Sequence, residues 1–120
     1  MPMKKRLGLV LFAVFVLSCH SAFAMSGHDL IDGMNAYLKE EKDYTKADYF
    51  LAGSYLGYVQ GAAEATVSDY SVPSGVTPDR LCQIVADYLK NNPKKLDEPA
   101  AHLVRKALQG AYPKYLIRNK

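Results

Sequence analysis

The 120-residue sequence contains no tryptophan and only two cysteines, so it is not a small domain held together by several disulfides. Its 22% of charged and 49% of hydrophobic residues exclude a disordered, collagen-like or fibrous chain. The longest apolar run has 11 residues. At about 1.5 Å per residue such a run spans roughly half of a hydrocarbon core of about 30 Å, which disfavours a membrane-spanning helix. The length suits one small domain.

The first 24 residues have the layout of a secretory signal. A basic segment, Met1 to Arg6, precedes the apolar run from Leu7 to Leu17, and a small-x-small cleavage motif ends at Ala24. We therefore predict a signal peptide over 1–24 and an exported, soluble periplasmic domain over 25–120. The segment from Val16 to Cys19 also resembles a bacterial lipobox, in which Cys19 would be lipidated and anchor the protein to the outer membrane.

The net charge of +3 belongs to the N-terminal segment. Lys4, Lys5 and Arg6 account for three of the 15 basic residues, and the remaining twelve balance the 12 acidic ones. A neutral domain lacks the electrostatic pattern of nucleic-acid binding. The sequence also has no glycine-rich loop after a strand, so no nucleotide or other cofactor is expected.

Apolar residues at helical spacing predict an all-α fold, a small four-helix domain that follows the cleaved signal peptide. The predicted helices run from Asp29 to Glu41, from about Lys46 to Ser68 after an N-cap at Thr45, from Pro78 to the sequence Asn91-Asn92-Pro93 after an N-cap at Thr77, and from near Asp97 to Gly110 with Pro99 in the first turn. The tail from Lys114 to Lys120 is basic, and its Tyr115, Leu116 and Ile117 are available for docking.

The second predicted helix carries a row of glycines. Gly53, Gly57 and Gly61 recur every four residues and share one face. Each costs about 1 kcal/mol relative to alanine inside a helix, so we predict that another helix backbone packs closely on them. A membrane dimerisation face is the alternative, and the neighbouring carboxylates and tyrosine hydroxyls disfavour it.

The titratable residues do not predict an enzyme or a metal site. After the signal, His28, His102 and Cys82 are the only imidazole or thiol groups, and they form no metal-binding motif. A Cys82–His102 nucleophile pair and an intermolecular disulfide are the alternatives to a buried structural thiol, which we favour because Cys82 adjoins an apolar stripe. Nine tyrosines indicate either an interaction protein or a core that lacks tryptophan.

Several spaced motifs between Tyr55 and Pro113 resemble the Rap/Tai immunity protein family. They are Gly57-Tyr58-Val59-x-Gly61, Val72-Pro73-x-Gly75-Val76-Thr77, Ile84-Val85-x-x-Tyr88-Leu89-x-x-Asn92-Pro93, Ala100-Ala101-x-Leu103-Val104-x-x-Ala107-Leu108 and Tyr112-Pro113. The resemblance implies an exported helical domain, often dimeric, that binds and blocks peptidoglycan amidase toxins delivered by type VI secretion systems. Family members commonly carry cysteines where this sequence has Tyr55, Ser71 and Lys114, so the disulfides that the family pattern would supply are absent.

From this resemblance we expect a periplasmic inhibitor, not an enzyme, that occludes the active site of an amidase toxin and can form a homodimer. A proline-containing corner between the second and third helices is the candidate contact element, because an ordered loop loses little entropy on entering a cleft. The candidate loop consists of Tyr70, Ser71, Val72, Pro73, Ser74 and Gly75. This segment could equally serve only to turn the chain. The alternative function is a structural, stress-related or chaperone-like periplasmic protein without a toxin partner.

Overall fold

The computed structural model describes Arg6, Gly8 and residues 25–114. Its helices are α1 (Gly27–Leu38), α2 (Lys46–Ala65), α3 (Pro78–Asn91) and α4 (Ala100–Ala111), with short 3-10 helices at Glu41–Asp43, Val67–Asp69 and Pro93–Lys95. The predicted all-α, four-helix class is confirmed. None of the helices described is long and apolar enough to cross a membrane. The predicted cleavage and lipidation sites and the tail 115–120 lie outside the described residues.

Helix α3 has the predicted bounds, and α1 begins two residues before the predicted start. Thr77 caps α3, since its Oγ1 accepts a hydrogen bond from the Arg80 N–H at 3.2 Å. Ser26 forms a capping box with Asp29 at the start of α1. In it the Ser26 N–H donates to the Asp29 carboxylate at 2.9 Å, which holds the pKa of Asp29 below its usual value.

Helix α4 begins at Ala100, so the predicted start near Asp97 is wrong. Leu96 and Glu98 use their backbone carbonyls to accept hydrogen bonds from His28 and Gly27, each at 3.1 Å. These non-helical bonds attach the start of α1 to the segment before α4. Pro99 is consequently the N-cap residue and does not lie in the first turn.

Helix α2 is also shorter than predicted, because it ends at Ala65 and not at Ser68. The Thr66 hydroxyl donates to the Ala62 carbonyl at 2.8 Å, and the chain then tightens into a 3-10 turn. This change of direction at the end of α2 starts the corner that leads to α3.

The hydrophobic core lies between one face of α2 and the other three helices. Tyr55 and Val59 supply the centre of that face, and both are fully buried. The remaining core side chains come from all four helices and include Leu30, Met34, Cys82, Val85, Leu89, Leu103, Val104 and Leu108. Gly33 of α1 permits a close approach to α2, since a Cβ there would lie 3.0 Å from the Tyr55 Cβ and 3.1 Å from the Leu51 carbonyl oxygen.

No described helix packs on Gly53, Gly57 and Gly61, for which the sequence predicts close packing by another helix, so that role stays a prediction. All three are exposed, and a Cβ built on any of them would meet no described atom within 4 Å. Helix α2 carries large apolar side chains nearly all the way round, so its sequence does not show which face is buried and which is exposed. We refer to these three residues as the glycine stripe.

Candidate functional site

The corner between α2 and α3, residues 70–77, presents an exposed tip. Pro73, Ser74 and Gly75 are exposed, and the Val76 N–H donates to the Pro73 carbonyl across the turn at 3.4 Å. Gly75 has φ +88°, the left-handed conformation that the third position of a type II turn requires and that glycine adopts without strain. The tip is therefore a defined turn.

Tyr70, a member of the predicted contact loop, is buried and anchors the corner, and its part in partner contact stays a prediction. Only 4% of its surface is exposed. Its hydroxyl donates to the Ala63 carbonyl in the last turn of α2 and lies 3.2 Å from the Thr66 hydroxyl oxygen. The ring thus fixes where the chain leaves α2. Ser71 and Val72 are half-buried, so the surface that a partner could touch is centred on the tip.

The end of α4 stabilises the corner from the other side. The Ser71 N–H donates to the Tyr112 carbonyl at 3.1 Å, and Tyr70 forms an antiparallel bridge with Pro113. The Lys114 ammonium donates to the Ser68 carbonyl at 2.9 Å. In the sequence, Tyr112 and Pro113 form a motif of the family resemblance, and no local signal indicated that they pair with residues more than forty positions earlier.

Two further contacts tie α4 to the start of the corner. Arg105 forms an ion pair with Asp69 at 3.7 Å, and the Gln109 side-chain amide donates to the Asp69 carbonyl at 3.5 Å. A tip supported in this way is organised before any partner arrives, so binding through it would cost little conformational entropy.

Hydrogen bonds occupy the three positions at which the family resemblance implied cysteines. The Tyr55 hydroxyl donates to the Cys82 carbonyl at 2.7 Å, the Ser71 N–H donates to Tyr112, and the Lys114 ammonium donates to Ser68. Each bond joins residues far apart in the sequence, as a disulfide would. Hydrogen bonds and packing therefore stabilise the corner at Ser71 and Lys114, where the family pattern would place cysteines.

Cys82 is a structural thiol. It is fully buried among the apolar side chains of the core, and burial, with a smaller contribution from Asp79, raises the pKa of the thiol to about 12. A protonated, inaccessible thiol is neither a nucleophile nor free for an intermolecular disulfide.

His102 interacts with Glu98 and Arg105: its Nε2 lies 3.4 Å from the Glu98 carboxylate and its Nδ1 lies 2.9 Å from the Arg105 guanidinium. Residues 25–114 contain no group of three or more His, Cys, Asp or Glu side chains able to hold a metal ion.

An apolar groove of about 190 Å³ lies directly beside the corner, and we call it the corner groove. Its lining side chains come from the end of α2, the 3-10 turn, the corner and the start of α3, and they include Ala63, Glu64, Val67, Tyr70, Val72 and Leu81. Val67 is 63% exposed within it. The corner therefore combines an exposed uncharged tip with an apolar depression at its side.

The described part of the chain is thus a small helical domain with a supported, uncharged tip. The chain belongs to the Rap1a immunity protein family, whose model matches residues 19–113. Searches of curated proteins and of solved structures found no match. Membership of this family implies that the chain is an immunity protein that binds a protein effector, and it indicates the role of an inhibitor without catalysis of its own.

Proposed function

We propose that this protein is exported to the periplasm, where it neutralises a peptidoglycan amidase effector of a type VI secretion system by occluding the active site of the enzyme. Membership of the immunity family supports binding of an effector. The basic, apolar and small-residue layout of residues 1–24 supports export. The resemblance of the spaced motifs between Tyr55 and Pro113 to the Rap/Tai family supports an amidase target.

The supported tip is the observation that carries the proposed mode of inhibition. Pro73, Ser74 and Gly75 are exposed at a corner whose other residues form hydrogen bonds with both α2 and the end of α4. Residues 70–76 contain no charged side chain, so entry into a cleft would not require a charge to be desolvated. A turn of this kind can block a substrate groove while paying little in ordering or desolvation.

A matched pair of arginine variants tests the tip. Ser74→Arg places a long charged side chain at the tip, and Ser54→Arg places the same side chain on an exposed position of α2. With the amidase effector of the same producer, we expect Ser74→Arg to weaken binding by about 100-fold, as for a disrupted interface centre, and Ser54→Arg to leave the Kd unchanged. Calorimetric titration measures both, and equal affinities would contradict the role of the tip.

A cellular experiment tests the compartment. Bacteria that express the amidase in the periplasm should survive when the full chain is co-expressed, and should lyse when residues 1–24 are deleted although the protein accumulates. Protection by the deletion variant would contradict a periplasmic site of action. Failure of the full chain to protect, or to bind any amidase encoded beside it, would favour the structural or stress-related function instead.

Inhibition kinetics test occlusion directly. We expect the protein to compete with peptidoglycan fragments, raising the KM of the amidase without lowering its kcat. A decrease in kcat at constant KM would show that the protein acts away from the substrate cleft.

A further inference from the structure

Four ionisable side chains form a continuous series of contacts from the start of α4 to the corner. Glu98 lies just before α4, His102 lies in its first turn and Arg105 in the next, and Asp69 lies in the 3-10 turn that starts the corner. His102 contacts Glu98 on one side and Arg105 on the other, and Arg105 in turn faces Asp69. All four are half-buried, so solvent and salt screen their interactions only in part.

The two contacts of Arg105 are unequal. Its Nη2 lies 2.9 Å from His102 Nδ1, which is hydrogen-bond distance, whereas its Nη1 lies 3.7 Å from the Asp69 carboxylate, which is beyond that range. The guanidinium is thus bonded to an imidazole although a carboxylate lies within reach of it.

The bond from Arg105 fixes the protonation state of His102. A guanidinium has only N–H donors, so His102 Nδ1 is the acceptor and carries no proton. The ring is then neutral, with its hydrogen on Nε2, the atom that faces Glu98. A proton that binds this ring has to enter at Nδ1, where it points at the Arg105 cation 2.9 Å away.

Two further ionisable groups lie near His102. Lys106 follows one turn along α4 and is exposed. From α2, the Tyr58 hydroxyl reaches the backbone of Ala101, and burial raises the pKa of Tyr58, so this group is neutral at pH 7. The charge of a protonated His102 therefore acts mainly on the two contacts described above, through Nε2 and Nδ1.

We propose that protonation of His102 makes Arg105 exchange its partner, from His102 to Asp69 at the base of the corner. A proton from solvent binds Nδ1, the hydrogen bond from Arg105 is lost, and the two cations repel each other. Asp69 is the anion already 3.7 Å from the guanidinium, so the Arg105 side chain turns towards it. The series then divides into two separate ion pairs, one at Glu98 and one at Asp69, and the second attaches α4 to the corner more strongly in mild acid.

This exchange concerns contacts within one chain and does not depend on the proposed effector. Histidine side chains change charge between pH 5 and 8, so the attachment at Asp69 responds to mild acid. The hydrogen bond from Tyr70 to the Ala63 carbonyl, on the other side of the corner, joins neutral groups and takes no part in the exchange.

NMR tests the starting state on ¹⁵N-labelled protein purified from cells that express the full chain. Correlations between the ring nitrogens and the ring C–H hydrogens distinguish the two neutral forms of a histidine. We expect His102 to carry its hydrogen on Nε2 at pH 8. A hydrogen on Nδ1 at pH 8 would overturn the proposal, since Arg105 could not then donate to that atom.

A double-mutant cycle measures the exchange itself. Urea unfolding of Arg105→Gln, Asp69→Asn and the double variant at pH 8 and pH 5.5 gives the coupling between the two side chains. We expect the coupling to lower the equilibrium constant of unfolding by less than about 1.5-fold at pH 8 and by about 3-fold at pH 5.5, the size typical of a partly exposed ion pair. A coupling that is the same at both pH values would contradict the exchange.

Two histidine variants supply matched controls for the cycle. His102→Asn keeps an acceptor, Oδ1, at the same number of bonds from the backbone as Nδ1, but this oxygen does not take up a proton. The coupling of Arg105 to Asp69 should then stay weak at both pH values. His28 pairs with Asp97 at 2.9 Å, outside this series of contacts, so His28→Asn should retain the wild-type pH dependence. A pH-dependent coupling in His102→Asn, or its loss in His28→Asn, would overturn the proposal, because a group other than His102 would then control Arg105.

Discussion

The corner and the glycine stripe both contain glycines that the sequence analysis singled out, the corner as a contact element and the stripe as a packing face, and their surroundings in the structure differ. The corner has Gly75 at φ +88° and is attached to two helices by hydrogen bonds. The stripe consists of glycines within α2, and a Cβ added to any of them would meet no described atom within 4 Å apart from its chain neighbours and the backbone of α2 itself. A glycine is required by conformation at the corner, whereas nothing in the described fold requires the glycines of the stripe.

The comparison teaches that a glycine pattern becomes informative only when the neighbouring elements are known. Gly33 shows this within the same chain. Glycine is unfavourable inside a helix, yet Gly33 lies where α1 packs on α2: a Cβ added to Gly33 would be 3.0 Å from the Tyr55 Cβ. Its role depends on a residue 22 positions later, which spacing along the sequence does not report.

The pair of substitutions Tyr70→Ala and Phe50→Ala should give the largest difference in the free energy of unfolding between the corner and the helix that carries the stripe. The substitution removes a ring that is 4% exposed together with its hydrogen bond to Ala63, so we expect a loss of about 3 kcal/mol in the free energy of unfolding. Phe50→Ala, near the start of α2, removes a ring that is 74% exposed and should change stability by less than about 0.5 kcal/mol. Urea unfolding measures both.

Similar losses for Tyr70→Ala and Phe50→Ala would contradict the comparison, because they would show that the face of α2 around Phe50 is covered in solution. The two substitutions therefore test two statements: that Tyr70 stabilises the corner through contacts within the chain, and that no other group covers the face of α2 around Phe50.

Local signals predicted the helices well where the stabilising groups are neighbours in the sequence. Thr77, Pro78 and the Asn92-Pro93 end defined α3 within one or two residues, since caps act over three or four positions. The start of α4 was wrong because Leu96 and Glu98 bond to Gly27 and His28, about seventy residues away. The corner was located from Pro73 and Gly75, but its attachment to Tyr112 and Pro113 depends on the tertiary fold.

Exchanging glycine for alanine in the two regions should give effects of opposite sign. Gly75→Ala forces a Cβ into a left-handed conformation, and we expect a loss of about 1–2 kcal/mol in the free energy of unfolding. Gly57→Ala adds a Cβ to open space on a helix, and we expect a gain of up to about 1 kcal/mol from helix propensity. Thermal and urea unfolding of the two variants at the same concentration measure the difference.

A destabilising effect of Gly57→Ala would contradict the open stripe. It would mean that another molecule packs on Gly57, and dilution of the protein would then lower the Tm of the wild type. Gly75→Ala has no such dependence on concentration, since its cost arises in the backbone of one chain.

The smallest predicted effect is a difference between the two ends of α2 in how their contribution to stability depends on pH. At the N-terminal end the Asp48 carboxylate accepts hydrogen bonds from the Thr45 N–H at 2.9 Å and from the Lys39 ammonium at 3.0 Å, and these interactions hold the pKa of Asp48 below 3.8. A pKa lowered by folding stabilises the native state above the unfolded value, and the stabilisation disappears as pH falls through the folded value. Asp48→Asn should therefore be less stable than the wild type at pH 7, with a difference that shrinks below pH 3.8.

At the C-terminal end the corresponding bonds are neutral, since Tyr70 and Thr66 donate hydroxyl hydrogens to the carbonyls of Ala63 and Ala62. Tyr70→Phe removes one of these bonds, and we expect a loss of about 1 kcal/mol that stays constant from pH 7 to pH 3. Urea unfolding at pH 7, 5, 4 and 3 gives both profiles. If the loss in the free energy of unfolding for Asp48→Asn stays constant with pH, ionisation of the Asp48 carboxylate does not stabilise the fold. If the loss for Tyr70→Phe changes with pH, the corner depends on a charged group such as Asp69 and its ion pair with Arg105.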